Sequence, residues 1–481
     1  MQFNSFAFIF FFPISILLYF AANRLRPELG KLVIIGSGIA FCALGKTNML
    51  LFLGGSILIN YCAVLLIRKY STRNKLLLAL PILINLGLLF SLKYLDFAIR
   101  CFNLLTGTHI RVRDILLPLG ISFYTFQQIA YIVATISGEL KNNSLIDYLT
   151  FILYFPKLVM GPLADPVDFI AQINETSRKK ANYDNIASGL MVFSFGLLKK
   201  TLLADTFAAA VTWVYTNLGI ATAVDCLLVM LFYTFEIYFD FGGYSDMAIG
   251  ISTMMNIDLP MNFRSPYLAV SIRDFWKRWH LTLTRFLTRD VFVPLGGSRK
   301  GLLRTCVNTL IVFVFCGMWH GSKWSFVLWG ILHGLLSCFD RVFGKLEEKI
   351  PKPIRWLFTF AVLNVLWLLF STQSIQVWRG ILMRIMAMQT TAVSGGLMDV
   401  FNVAEITVLY RLLGLDGLTQ SVPWFNMVLF FVAAAVVCVL PENCLRVRKR
   451  AGIAALALSS LAFIWGVLCI GAESVFIYSA F

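Results

Sequence analysis

Apolar runs long enough, or nearly long enough, to cross a bilayer recur from one end of this chain to the other. They lie near residues 6–22, 31–45, 48–67, 76–95, 115–137, 146–163, 185–215, 222–254, 302–319, 324–343, 354–371, 425–440 and 452–471. A spanning helix needs about 20 predominantly apolar residues. Water-soluble folding cannot bury this many. The chain is 59% hydrophobic and 14% charged, with a mean hydropathy of +0.78, against about 45–50% and about 25% in soluble domains. The sequence therefore predicts an all-α polytopic membrane protein. Some runs are too short or too broken for a simple crossing, so about eleven full spans plus re-entrant and interfacial helices are expected. No long polar stretch divides the chain, and residues 1–481 read as a single membrane domain.

The net charge of +16 would suggest nucleic-acid binding in a soluble protein. Here the cations gather in short loops between apolar runs: Arg24 and Arg26; Arg68, Lys69, Arg73 and Lys75; Arg178, Lys179 and Lys180; Lys345, Lys349, Lys352 and Arg355; Arg446, Arg448, Lys449 and Arg450. That is the positive-inside pattern of cytoplasmic loops, so no nucleic-acid partner is expected. No positive charge precedes the Phe6–Ala22 run, while Arg24 and Arg26 follow it. This is the reverse of a signal peptide, and it puts the N-terminus outside. Ser394–Trp424, with Asp399, Glu405 and Asp416 against Arg411, lacks the basic bias and reads as an outside loop. The ten cysteines form no C-x-x-C pair and mostly sit inside apolar runs, so no metal site is expected.

Residues Asn262–Arg304 break the pattern. Arg264, Arg273, Asp274, Lys277, Arg278, Arg285, Arg289 and Asp290 alternate there with Phe263, Tyr267, Phe275, Trp276, Trp279, Phe286 and Phe292. So many charges cannot cross hydrocarbon, and an amphipathic helix at the interface or in a protein-lined cavity is expected. On such a helix Asp274 and Arg278 would pair at i,i+4, and Trp276 and His280 would share a face.

Of four histidines, His109 reads as solvated beside Arg111 and Arg113. His320 closes an apolar run in Cys316-Gly317-Met318-Trp319-His320-Gly321. Burying an imidazole there is costly without a hydrogen bond, and histidine suits general-base work near neutral pH. The alternative is a helix-end histidine meeting the interface. His280 lies in the charged segment, and His333, in the next apolar run, suits helix packing through a hydrogen bond. In Tyr233–Met247 three acids intrude: Glu236 and Asp240 share a face, and Asp246 follows an apparent Gly-Gly break. They need partners, for which Arg273, Lys277 and Arg278 are available, and a structural ion-pair network is as plausible as a catalytic role. No G-x-S-x-G, H-E-x-x-H or Walker motif occurs.

Several segments together resemble the alginate O-acetyltransferase-like bacterial branch of the membrane-bound O-acyltransferase (MBOAT) family. In order they are Leu117–Gln127 (LPLGISFYTFQ), Phe155-Pro156-Lys157 through Gly161-Pro162, Tyr238–Ala248 (YFDFGGYSDMA), Asn262-Phe263 with Pro266-Tyr267, Asp274–His280 (DFWKRWH), Pro294–Gly297 and Trp319-His320-Gly321. They span roughly 115–335, and the ending Phe476-Ile477-Tyr478 is also similar. The resemblance implies an MBOAT bundle around a central tunnel in a bacterial cell (inner or plasma) membrane. It implies acyl transfer, most simply acetyl, from a cytoplasmic thioester such as acetyl-CoA or an acyl-carrier protein. The acceptor would be a cell-surface polysaccharide reached through an extracytoplasmic partner protein, with no bound cofactor. It further implies His320 as the essential histidine and His280 as a second functional one. Trp276, Trp279 and Trp319 would wall the passage, supported by Glu236, Asp240, Asp246 and Arg278. D-alanyl transfer to teichoic acid and a non-catalytic acyl conduit remain the alternatives.

Overall fold

Hydrocarbon offers the backbone no hydrogen-bond partner, so a chain this apolar must satisfy its amides internally. The computed structural model meets that demand with helices, and no strand occurs among the described residues. It describes every residue except 46, 71–74, 113–117, 119, 141–143, 416, 418–420, 441–451, 472–475 and 478–481, with side chains also outside the description at 47, 48 and 75–78. The basic cluster Arg446–Arg450, together with Arg73, Asp416, Leu117, Leu119 and Tyr478, lies outside the described residues.

Seven described helices are long and apolar enough to cross a membrane: Phe6–Leu25, Met49–Tyr70, Ala79–Thr106, Tyr183–Thr216, Gly301–His320, Trp324–Glu347 and Lys352–Thr372. Three shorter apolar helices, Ile121–Ile136, Phe425–Val439 and Ile453–Leu468, accompany them. The chain is thus a multi-pass membrane protein.

The fold divides into two units. The first comprises Met1–Phe193, Tyr244–Pro260 and Arg450–Leu456. In it, polar side chains buried among apolar helices find local partners. The Lys31 ammonium meets Asp147 at 2.8 Å, and Asp147 also closes a capping box with Ser144. Asn60 and Asn85 exchange amide hydrogen bonds between two helices, the usual device of membrane helix pairs. Lys157 is wholly buried, donates to Gln127 Oε1, and lies 3.8 Å from the Phe151 ring centroid. Burial holds its amine well below the ordinary lysine range.

The second unit comprises Ser194–Gly243, Met261–Lys449 and Ala457–Phe481. Its central feature is an antiparallel hairpin of Gly301–His320 and Trp324–Glu347. Glycine sets its spacing. A Cβ on Gly317 would stand 2.2 Å from the Phe326 carbonyl oxygen, and one on Gly330 would stand 2.3 Å from the Phe313 carbonyl oxygen. Both obstacles are backbone and cannot step aside. Close approach through small residues is how membrane helices gain packing without a hydrophobic driving force.

Two sequence expectations are corrected. Asn262–Arg304 is not one amphipathic helix but a series of short pieces, Pro266–Leu268, Ile272–Trp276, Leu281–Leu287 and Thr288–Phe292, before the long helix from Gly301. The Gly242-Gly243 pair does not break its helix, which runs from Ala223 to Met254. A Cβ at Gly243 would meet the Gly196 carbonyl oxygen at 2.7 Å, so this glycine admits a neighbouring backbone rather than a turn.

A Gly317→Val protein should therefore be overpacked, losing about 1–3 kcal/mol. The check is the melting temperature of the purified protein, which should fall; an unaltered transition would refute the backbone contact.

Candidate active site

His320 is the last residue of the Gly301–His320 helix and is buried at 5% exposure. Three aromatic rings stand edge-on to its imidazole: Trp319 at 4.7 Å between centroids, Phe370 at 5.0 Å and Trp329 at 5.4 Å. Gly321 follows it, and a Cβ there would strike the Phe326 ring at 2.3 Å. The Trp-His-Gly order thus has a steric reason: the glycine lets Phe326 close over the turn, where it packs on Phe370.

His280 is 1% exposed, and its ring contacts Phe241 at 4.7 Å and Trp319 at 6.2 Å. Trp319 is therefore shared by both histidines. The His280 backbone is left-handed (φ 45°, ψ 53°), a conformation costing about 1–2 kcal/mol in a residue with a Cβ. It caps the start of Leu281–Leu287, three residues after Lys277 has ended Ile272–Trp276. Residues 262–264 hold this kink from both sides. The Leu281 N–H donates to the Asn262 carbonyl at 2.9 Å, the Thr282 hydroxyl to Asn262 Oδ1 at 2.6 Å, and the Arg264 N–H to the Arg278 carbonyl at 2.9 Å. Neither His280 ring nitrogen has a hydrogen-bond partner among the described residues. His280 lies outside the seven spans, and burial without a counter-charge pushes its imidazole down to about 3. It is a neutral histidine at physiological pH.

His333, fully buried, accepts a hydrogen bond at Nδ1 from the Trp276 indole N–H at 3.1 Å. Its ring packs on Trp329 at 4.5 Å, and Trp329 touches His320. Trp279 stacks on Phe275 at 5.4 Å and meets Trp367 at 5.0 Å. His280, His320 and His333 are thus joined ring to ring through Trp319 and Trp329. Such an apolar box excludes water, and in it both His280 nitrogens lack a hydrogen-bond partner among the described residues.

The acids are arranged differently from expectation. Asp240 takes its counter-charge from Lys200, at 2.6 Å, and not from Arg273, Lys277 or Arg278. Lys200 also reaches Asp205 at 2.7 Å and lies 4.4 Å from the Phe476 ring, while the Ile477 N–H donates to Asp240 Oδ2 at 2.8 Å. Glu236 is buried near this network, and its Oε2 has no hydrogen-bond partner among the described residues. Arg278 pairs with Asp274 at 2.9 Å, as the i,i+4 spacing predicted. Asp246 is buried within the first unit. Trp276 and His280 do not share a helical face, because the helix carrying Trp276 ends there, capped by Lys277, and His280 begins the next one.

The comparisons with known proteins decide the family. Residues 134–379 match the MBOAT, membrane-bound O-acyltransferase family. The chain is 36% identical over 408 residues to a peptidoglycan O-acetyltransferase of Helicobacter pylori, covering 78% of this chain and 77% of that protein. It is 34% identical over 390 residues to a probable alginate O-acetylase AlgI of Pseudomonas aeruginosa, covering 79% and 74%. It is 31% identical over 252 residues to a teichoic acid D-alanyltransferase of Bacillus subtilis, covering 50% and 62%. The chain belongs to the membrane-bound O-acyltransferase family. It is an O-acyltransferase.

Sequence reasoning passed over four residues of this acyltransferase, Lys200, Trp329, Ser337 and Arg341. Lys200 sits inside an apolar stretch, on a π-helical turn over Lys199–Ala204, and a lysine at such a place was a legible signal. Trp329, His333, Ser337 and Arg341 stand four residues apart on the Trp324–Glu347 helix and so share one face. That spacing was present in the sequence without a reason to single it out.

Lys200 and Asp240 carry 2% and 3% side-chain exposure. Lys200→Met leaves Asp240 charged in an apolar interior and should cost about 3–5 kcal/mol. Adding Asp240→Asn should restore part of the melting temperature; a double variant no more stable than the single would refute the pairing. His280 gives a pH test. Its folded pKa lies below the unfolded value, so the unfolded state binds more protons, and stability falls as pH drops from about 6.5 to about 3. The slope reaches about 1.4 kcal/mol per pH unit. His280→Gln should flatten that acid limb in denaturation curves, and an unchanged slope would count against the buried neutral imidazole.

Proposed function

We propose that this acyltransferase transfers an acetyl group from a cytoplasmic thioester, acetyl-CoA or an equivalent, towards a cell-surface glycan, through an extracytoplasmic partner protein and in a bacterial cell membrane with the N-terminus outside. The observation that carries the reading is the pair of buried histidines that share Trp319, one of them ending a spanning helix. The names of the peptidoglycan and alginate relatives support acetyl as the group and a polysaccharide as the acceptor class.

In this reading His320 takes the proton from the acceptor hydroxyl as its oxygen attacks the thioester carbonyl. The C–O bond forms, the C–S bond breaks, and the proton passes on to the leaving thiolate. His280, neutral and held by the Asn262 contacts, orients the acyl group or relays that proton. Trp276, Trp279 and Trp319 keep water out, so that the ester is not lost to hydrolysis. Glu236, Asp240 and Arg278 support the surrounding helices, and Asp246 does so from the first unit. A transient acyl-histidine is the other route the same residues support.

A second reading, D-alanyl transfer from a carrier protein to teichoic acid, draws on the D-alanyltransferase relatives, which match about half of this chain. Identifying the ester-linked group on the cell surface separates the two. His320→Ala, with membrane insertion verified, should reduce surface ester-linked acetate to the level of a gene deletion. Retention of wild-type acetate by that variant would exclude His320 as the base.

A further inference from the structure

Two buried hydrogen-bond donors close to His320 are left without an acceptor. Trp329 is 1% exposed, and its indole nitrogen has no hydrogen-bond partner among the described residues. His333 has no exposure, and its Nε2 is in the same condition. The polarity of both vacancies is fixed. An indole N–H can only donate. His333 accepts the Trp276 indole N–H at Nδ1, 3.1 Å away. Accepting there makes the imidazole neutral and keeps its proton on Nε2. Both vacancies therefore call for an acceptor, and an uncharged side chain supplies each donor.

The two donors belong together. Trp329 and His333 stand one turn apart on the Trp324–Glu347 helix, with ring centroids 4.5 Å apart. Neighbouring rings hold both in place. Phe370, Trp276 and Trp367 pack on Trp329 at 5.3, 5.8 and 5.9 Å. Phe313 stacks on His333 at 6.1 Å and 17°. The Trp329 ring also stands 5.4 Å from the His320 ring, nearly perpendicular to it. A carbonyl brought to His320 for attack thus comes up against Trp329 as well.

Folding does not explain the vacancies, since a buried N–H without an acceptor lowers stability. Acyl transfer does explain them. When a hydroxyl oxygen attacks a thioester, the carbonyl electron pair moves onto the carbonyl oxygen. Fixed N–H donors aimed at that oxygen stabilise the transition state without having to reorganise. A ring box that excludes water strengthens each of those hydrogen bonds.

We infer that Trp329 Nε1–H and His333 Nε2–H form the oxyanion hole of this acyltransferase, with Trp276 as the positioning residue that fixes the His333 tautomer. The attacking hydroxyl gives its proton to His320 as the new C–O bond forms, and the carbonyl pair passes to the oxygen held by the two N–H groups. The pair then returns, the C–S bond breaks, and the thiolate takes the proton from His320. The inference rests on the reading of His320 as the base and adds the groups that carry the negative charge in between.

The test removes one N–H. Trp329→Phe does so but also shrinks the ring; benzothienylalanine at the same position keeps the bicycle and replaces only the N–H by sulfur. Inverted membrane vesicles carrying the full-length protein are given labelled acetyl-CoA, and acetyl ester on the vesicle glycan is measured. With benzothienylalanine, kcat should fall roughly a hundredfold while KM stays within about twofold. The melting temperature of the purified protein should not fall, because the resting protein loses no hydrogen bond. Fluorotryptophan, which keeps the N–H, should retain most of the rate. Trp276→Phe should lower kcat severalfold, because His333 can then carry its proton on Nδ1. Unchanged kcat with benzothienylalanine overturns the assignment, whether or not KM rises. A rate loss matched by a lower melting temperature, or by an equal loss with fluorotryptophan, reduces Trp329 to packing and overturns it equally. The parent reading fails separately. Wild-type turnover by His320→Ala refutes the base alone. Wild-type vesicles that leave acetyl-CoA untouched refute the acetyl donor alone, and the same proteins are then compared by alkali-labile acyl groups on the cell surface.

Discussion

Two helices touching backbone to backbone at Gly317 and Gly330 set the geometry of everything around them. Because the Gly301–His320 and Trp324–Glu347 helices approach so closely, His320 at the end of one comes within ring contact of Trp329 on the other. Trp329 then reaches His333, and His333 fixes Trp276 by its indole N–H. A larger side chain at either glycine would separate the helices and open the box to water. The site is assembled by absence of side chain at a few positions as much as by the residues that fill it.

The polar groups of the interior fall into two kinds. Lys31 with Asp147, Lys157 with Gln127, Asn60 with Asn85 and Lys200 with Asp240 are matched pairs, as burial in a low-dielectric interior demands. His280 departs from that rule, surrounded by Phe241 and Trp319 and lacking a hydrogen bond to either nitrogen among the described residues. It also sits in a strained left-handed backbone held by contacts to residues 262–264. An unsatisfied polar group on a strained residue is a cost that packing must offset, and such costs concentrate where function requires them.

What the sequence revealed depended on how local the physics was. Helical spans follow from the density of apolar residues. The Asp274–Arg278 pair follows from spacing alone, and the structure contains it at 2.9 Å. Asp240 finding Lys200 forty residues away does not follow from either, since both residues lie on separate helices whose packing no periodicity reports. Gly243 was misread for a related reason: a glycine that breaks a helix and one that admits a neighbour look alike until the neighbour, Gly196, is known. The left-handed turn at His280 was likewise hidden, because the charges and aromatics around it keep an amphipathic rhythm that suggests one uninterrupted helix. His320 was the most legible site residue, since an imidazole closing an apolar run is conspicuous wherever the chain folds.

The hairpin also joins two different environments along its length. The Gly301–His320 helix has twenty residues, about 30 Å of rise. Arg341 lies towards the end of the hairpin where that helix begins, and His320 stands at the other end. A molecule bearing several phosphates cannot follow such a path, because each charge placed at membrane depth costs several kcal/mol. A neutral acyl group at the tip of a thin arm can. Charged groups of a donor are therefore kept at the ends of the helices, where water is available. At the aromatic box around His320 water is excluded instead.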